Sequence, residues 1–198
     1  NVGFVMGSGS LKLEMQTYRY LHEYGINPIA ITKKKIDYKI DKKFEHRIIN
    51  KIGITSSTEY LFDLENATND IDIIHTVEPW FISTNQCLEL KKPLIVTVWE
   101  NVPLGGEKTK YSFLNKHRLR IKQEVFQKAN CLLAISESAK NALIIDGADP
   151  KKIEVLPLGI DINRYKPIKK QRHDQIVISF IGRLVYEKGI LDLIYVFS

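Results

Sequence analysis

Gly182 and Arg183 end an apolar run at 176–181, and Lys188 and Gly189 open an apolar helical pattern a few residues later. A strand that stops on glycine and turns into a helix presents unpaired backbone N–H groups and the positive end of the helix dipole to one place. Arg183 and Lys188 flank that place, so an anion held there meets several charge-assisted donors together. The spacing predicts a diphosphate ligand, with Gly182, Arg183 and Lys188 as the binding set.

Upstream, residues 155–167 read V-L-P-L-G-I-D-I-N-R-Y-K-P and residues 134–143 read A-I-S-E-S-A-K-N-A-L. Pro157, Gly159, Ile160 and Asp161, followed by Tyr165 and Pro167, resemble the P-x-G-I/V-D segment of retaining glycosyltransferases of family 4, which have the GT-B fold. Gly182, Arg183, Lys188 and Gly189 are similar to the G-R-x-x-x-x-K-G turn that follows it in those enzymes. The resemblance covers most of the chain, and its specificity lies in the order of the two motifs after Cys131.

That resemblance implies transfer of a sugar from a nucleotide-diphosphate-sugar to an acceptor hydroxyl, with retention, no metal and no cofactor beyond the co-substrate. As the glycosidic bond breaks, negative charge grows on the β-phosphate, and cations fixed beside it in a water-poor cleft stabilise the transition state. Arg183 and Lys188 are expected to do this. The family's E-x7-E motif lies further along than these residues extend, so the catalytic residues are unknown, and the chain alone is expected to be inactive.

On the acceptor side, Gly7 and Gly9 form a turn after the first strand, where glycine lets the backbone approach a ligand. The turn departs from the family's G-G-x-E loop. It also lacks the third glycine of a dinucleotide fingerprint, and Lys33, Lys34 and Lys35 stand where an acidic residue would end the second strand, which argues against a nicotinamide enzyme. His75 closes a D-I-I-H stretch at a strand end and is a candidate acceptor contact, or a buried packing residue. Trp99, Glu100 and Asn101 stand where the family continues its strand with His-Asp. Stacking and hydrogen bonding to a sugar acceptor is one reading of them; an indole packed under a loop beside a solvated Glu is the other.

Strands are predicted at 2–6, 28–32, 71–76, 93–98, 131–135 and 153–156, with helices at 11–24, 58–66, 80–90, 111–129 and 137–146. Strands that are apolar without clean alternation are buried on both faces, which points to α/β architecture: a Rossmann-like, doubly wound parallel sheet, the N-terminal half of a GT-B fold, with the truncated start of a second α/β domain. Ser136 is the predicted N-cap of the last helix, and Gly25 and Gly147 are stops. Residues 1–165 are expected to form the acceptor-side domain, 166–174 a linker, and 175–198 the start of the nucleotide-sugar domain, whose apolar faces must find cover elsewhere.

The chain has 198 residues, 44% hydrophobic and 26% charged, with a net charge of +6, which fits a globular protein and not a disordered tail. No apolar run approaches the roughly 20 residues needed to cross a bilayer, and the expected location is the cytoplasm. Residues 107–128 carry seven basic residues against two acidic ones, on a helix whose apolar side includes Ile121, Val125 and Phe126. Lys116, Arg118, Arg120 and Lys122 are therefore candidates to face an anionic membrane, or a solvated outer face. The alternatives to a glycosyltransferase are a non-catalytic α/β binding module with a basic docking helix and a GT-B-fold sugar-nucleotide epimerase. Without interleaved aromatics or a recognised motif, nucleic acid is not an expected partner.

Overall fold

In the computed structural model of the chain, residues 1–6, 18, 20–32, 45–104, 113–160, 162–163, 165–167 and 176–197 are described. The chain divides into two compact units, Asn1–Ile162 and Asn163–Ser198.

The first unit is built on a seven-stranded parallel sheet. Its strands are β1 (Val2–Val5), β2 (Pro28–Thr32), β3 (Glu45–Ile48), β6 (Ile73–Val77), β7 (Leu94–Val98), β8 (Cys131–Ala134) and β9 (Ile153–Val155), in the order β3-β2-β1-β6-β7-β8-β9. A small antiparallel ribbon of β4 (Lys51–Ile52) and β5 (Tyr60–Leu61) interrupts the alternation. Every residue of β2 is buried, as a strand covered on both faces requires. Its helices among the described residues include α1 (Leu64–Ala67), α2 (Ile82–Glu89), α3 (Phe113–Lys128) and α4 (Glu137–Ile145). Val125 and Phe126 of α3 and Leu143 of α4 join Ile29, Ile74 and Val96 of the sheet in one core cluster.

After β3 the chain returns past β1 to lay down β6. Strand order therefore reverses between β1 and β6, and in open α/β sheets ligands bind beyond the carboxyl ends of the strands at such a reversal.

Local signals account for the ends of the elements. The Ser136 side chain accepts a hydrogen bond from the Ala139 N–H at 3.1 Å, and Gly25 and Gly147 take positive φ of 71° and 100°. Ser136→Ala is expected to lower stability by about 1 kcal/mol, measured by urea denaturation; no change would mean that another group caps α4.

Two expectations are corrected. The predicted helix at 58–66 shrinks to the four residues of α1, because Thr55 and Thr58 close a capping box around a short 3-10 turn and Asp63 takes a left-handed φ of 59°. The predicted strand at 176–181 makes no ladder among the described residues, since an extended segment becomes a strand only by pairing. In the second unit a 3-10 turn at Tyr186–Lys188 ends on Gly189 at φ 70°, and α5 (Ile190–Phe197) follows. Leu191, Ile194, Val196 and Phe197 of α5 remain more than half exposed.

Candidate functional site

The carboxyl ends of β6, β7 and β9 open onto a cavity of about 320 Å³, with Trp99 just beyond β7 and Leu156–Gly159 just beyond β9. His75 of β6 and Thr97 of β7 form its floor, and Tyr18 closes one side. Parallel register puts His75 beside Ile95 on β7, and its imidazole Nε2 lies 2.8 Å from the Thr97 hydroxyl. Nδ1 lies 3.4 Å from the Tyr18 hydroxyl. The Tyr18 ring is stacked on Phe4, with centroids 3.7 Å apart, so an aromatic layer holds the histidine against the sheet.

Burial lowers the His75 pKa to about 4, so at neutral pH the ring is uncharged and offers one donor and one acceptor. Its folded pKa lies below the unfolded value of 6.5; the folded state then binds fewer protons between the two values. The stability this provides is present above pH 6.5 and is lost as pH falls toward 4, by about 3 kcal/mol. In His75→Gln the difference in urea stability between pH 7 and pH 4.5 is expected to narrow accordingly; an unchanged difference would contradict the burial argument.

Glu78, one residue past β6, has a left-handed φ of 55°. Its Oε1 accepts a hydrogen bond from the Trp99 N–H at 2.9 Å. Burial pushes this carboxyl up to about 7, opposed by that N–H, raised further by Glu100 and lowered by Lys122. Sequence reasoning missed Glu78, although a carboxylate directly after an apolar strand and before a proline was the available signal.

Trp99 lines the cavity with His75, but Glu100 and Asn101 are not among the residues lining it. Asn101 is exposed. Glu100 accepts from Lys122 Nζ at 2.9 Å, and the same ammonium meets Asp146 at 2.6 Å. Lys122 is 1% exposed, and this corrects its expected place on a membrane-facing surface. It shares one helix face with Val125, Phe126 and Ala129, all buried, a three-to-four-residue spacing that was already visible in the sequence. Of the remaining candidates, Arg118 stacks over the Trp80 ring at 4.5 Å, while Lys116 and Arg120 are exposed.

Gly7, Gly9 and Asp161 lie outside the described residues, as do Lys33 to Lys35. In the second unit Gly182, Arg183 and Lys188 are exposed. The Lys188 N–H donates to the Val185 carbonyl at 3.0 Å and the Leu193 N–H to that of Gly189 at 3.0 Å. The turn thus leads directly into α5, whose first turn also carries Asp192.

The cysteines are both free thiols. Cys87 is buried in the core, which pushes its pKa up to about 12. Among the described residues, no helix is long and apolar enough to cross a membrane.

Comparison with known proteins gives consistent matches. An uncharacterized glycosyltransferase of Methanocaldococcus jannaschii is 29% identical over 140 residues, 63% of this chain and 35% of that protein. A component of the human phosphatidylinositol N-acetylglucosaminyltransferase is 28% identical over 133 residues, 66% of this chain and 26% of that protein. The chain therefore spans about a third or less of the length of these relatives. Among solved structures, Anabaena HepE in complex with UDP superposes with a TM-score of 0.59 at 14% identity, covering 85% of this chain and 47% of that one. This likeness establishes a shared α/β fold. The family model described as Glycosyltransferase Family 4 matches residues 41–164, the stretch that builds β3 to β9 and most of the cavity, and the chain belongs to that family.

Proposed function

We propose that this chain is the acceptor-side part of a retaining glycosyltransferase that moves a sugar from a nucleotide-diphosphate-sugar to an acceptor hydroxyl. Residues 1–165 form the acceptor domain in this reading, 166–174 the linker, and 175–198 the beginning of the donor domain. The observation that carries it is the Gly182-Arg183 to Lys188-Gly189 turn in a family 4 chain, a cationic turn leading into a helix N-terminus. UDP in the HepE complex supports a nucleotide diphosphate as the leaving group. On the acceptor side, the Trp99 indole offers a flat apolar wall to a sugar ring, and the Tyr18 and Thr97 hydroxyls on either side of the neutral His75 ring supply the polar groups. Leaving-group stabilisation falls to Arg183 and Lys188.

The test is an assay of the complete protein with sugar nucleotides and candidate acceptors, following the anomeric configuration of the product by NMR. Retention is the expected outcome, and inversion, or no consumption of any sugar nucleotide, would overturn the reading. A cytoplasmic location with peripheral contact to anionic lipid belongs to the same proposal, carried by the exposed Lys116 and Arg120. Flotation with phosphatidylglycerol vesicles should weaken severalfold when both are changed to Gln, and indifference would leave a solvated helix face.

A further inference from the structure

Among the described residues, Glu78 Oε2, Trp80 Nε1 and Trp99 Nε1 are side-chain polar atoms sealed from solvent without a hydrogen-bond partner. All three belong to one corner, at the ends of β6 and β7. Buried polar atoms are nearly always paired, so such a concentration calls for an explanation. Glu78 adds a second feature, since a left-handed φ of 55° is disfavoured for a residue with a side chain, and strain of this kind gathers at functional sites. The left-handed turn ends β6 and carries the carboxyl across to the end of β7. The Glu78 N–H still bonds to the Thr97 carbonyl at 2.9 Å, and Oε1 reaches the N–H of Trp99, just past β7, at 2.9 Å.

We propose that Glu78 is a positioning residue: its carboxyl clamps the Trp99 main-chain amide and so fixes the indole that walls the cavity. The consequence for acceptor binding rests on the glycosyltransferase reading, but the clamp does not. Glu100 and Lys122 are the charged groups that act on this carboxyl, and Arg118 lies over the Trp80 ring. Trp80 stands near enough to favour the ionised carboxyl, without meeting hydrogen-bond geometry. An ionised carboxylate accepts an N–H more strongly than a neutral acid does, and the carboxyl titrates at about 7, so the clamp tightens as pH rises through neutrality.

The experiment is an NMR titration of the 15N-labelled chain between pH 5 and 9, following the Trp99 backbone amide. Its proton is expected to shift with a midpoint near 7 in the wild type. In Glu78→Gln it should stay hydrogen-bonded but stop titrating near 7, and in Glu78→Ala its protection from exchange should drop by about tenfold or more. In the complete enzyme both variants should raise the acceptor KM, Ala by about tenfold and Gln by less, with the donor KM unchanged. A Trp99 amide whose protection is unchanged in Glu78→Ala, or that titrates as before in Glu78→Gln, overturns the clamp. Should Glu78→Ala fail to fold, the Gln variant still decides. These readouts need no sugar nucleotide, so an amide indifferent to Glu78 removes the clamp and leaves sugar transfer standing, whereas an amide that depends on Glu78 with no transfer supports the clamp and removes the transfer reading alone.

Discussion

Replacing Lys122 by alanine is expected to lower the stability of the first unit by about 3 to 5 kcal/mol. Lys122 is 1% exposed and Asp146 is 3% exposed. Removing the cation leaves the Asp146 carboxylate, which also accepts from the Leu104 N–H at 3.2 Å, buried without its ammonium, and the Glu100 carboxylate without the same charge. Through these bonds Lys122 ties the segment after β7 to the end of α4, so the loss also loosens the approach to Trp99. Two controls separate charge from volume. Lys122→Met keeps most of the side chain and should still destabilise strongly, whereas Lys116→Ala, on the exposed side of the same helix, should change stability by less than about 0.5 kcal/mol. Urea denaturation at pH 7 checks this, and a loss below about 1 kcal/mol for Lys122→Ala would contradict the buried network.

The second large effect concerns turnover. In the complete enzyme, Arg183→Ala and Lys188→Ala are each expected to reduce kcat by about a hundred- to a thousandfold, the scale of removing one group that stabilises charge developing in a transition state. The donor KM should rise, and the acceptor KM should stay near its wild-type value. Arg183→Lys should recover only part of the activity, because an ammonium keeps the charge but loses the planar fork that matches a phosphate. Steady-state kinetics with saturating acceptor decides the matter; wild-type kcat in either alanine variant would dissociate the turn from the chemistry.

The sheet was legible where its strands are apolar throughout. Residues 28–32 read P-I-A-I-T, and all five are buried. Strands β3, β4 and β5 were missed because they belong to edges: β3 carries Glu45 and Arg47, and the other two are two residues long. Charged or very short edge strands hide the hydrophobic pattern because a partner covers only one of their sides. Trp99 stands just past β7, where the fold opens a crevice, whereas His75, expected at a strand end, is the central residue of β6 and still lines the same cavity. The partners of Glu78 and Lys122 lie 21 and 24 residues away, so local pattern marks these residues as unusual without showing what they bind. Lys122 looked like a surface cation by type, and its phase with Val125 and Phe126 was the better guide.

The assignment of the diphosphate site can be checked by a crystal structure of the complete protein with UDP. Diphosphate oxygens are expected within hydrogen-bond distance of the Arg183 guanidinium, the Lys188 ammonium and the backbone at Gly182. UDP bound with its diphosphate away from these three residues would contradict it.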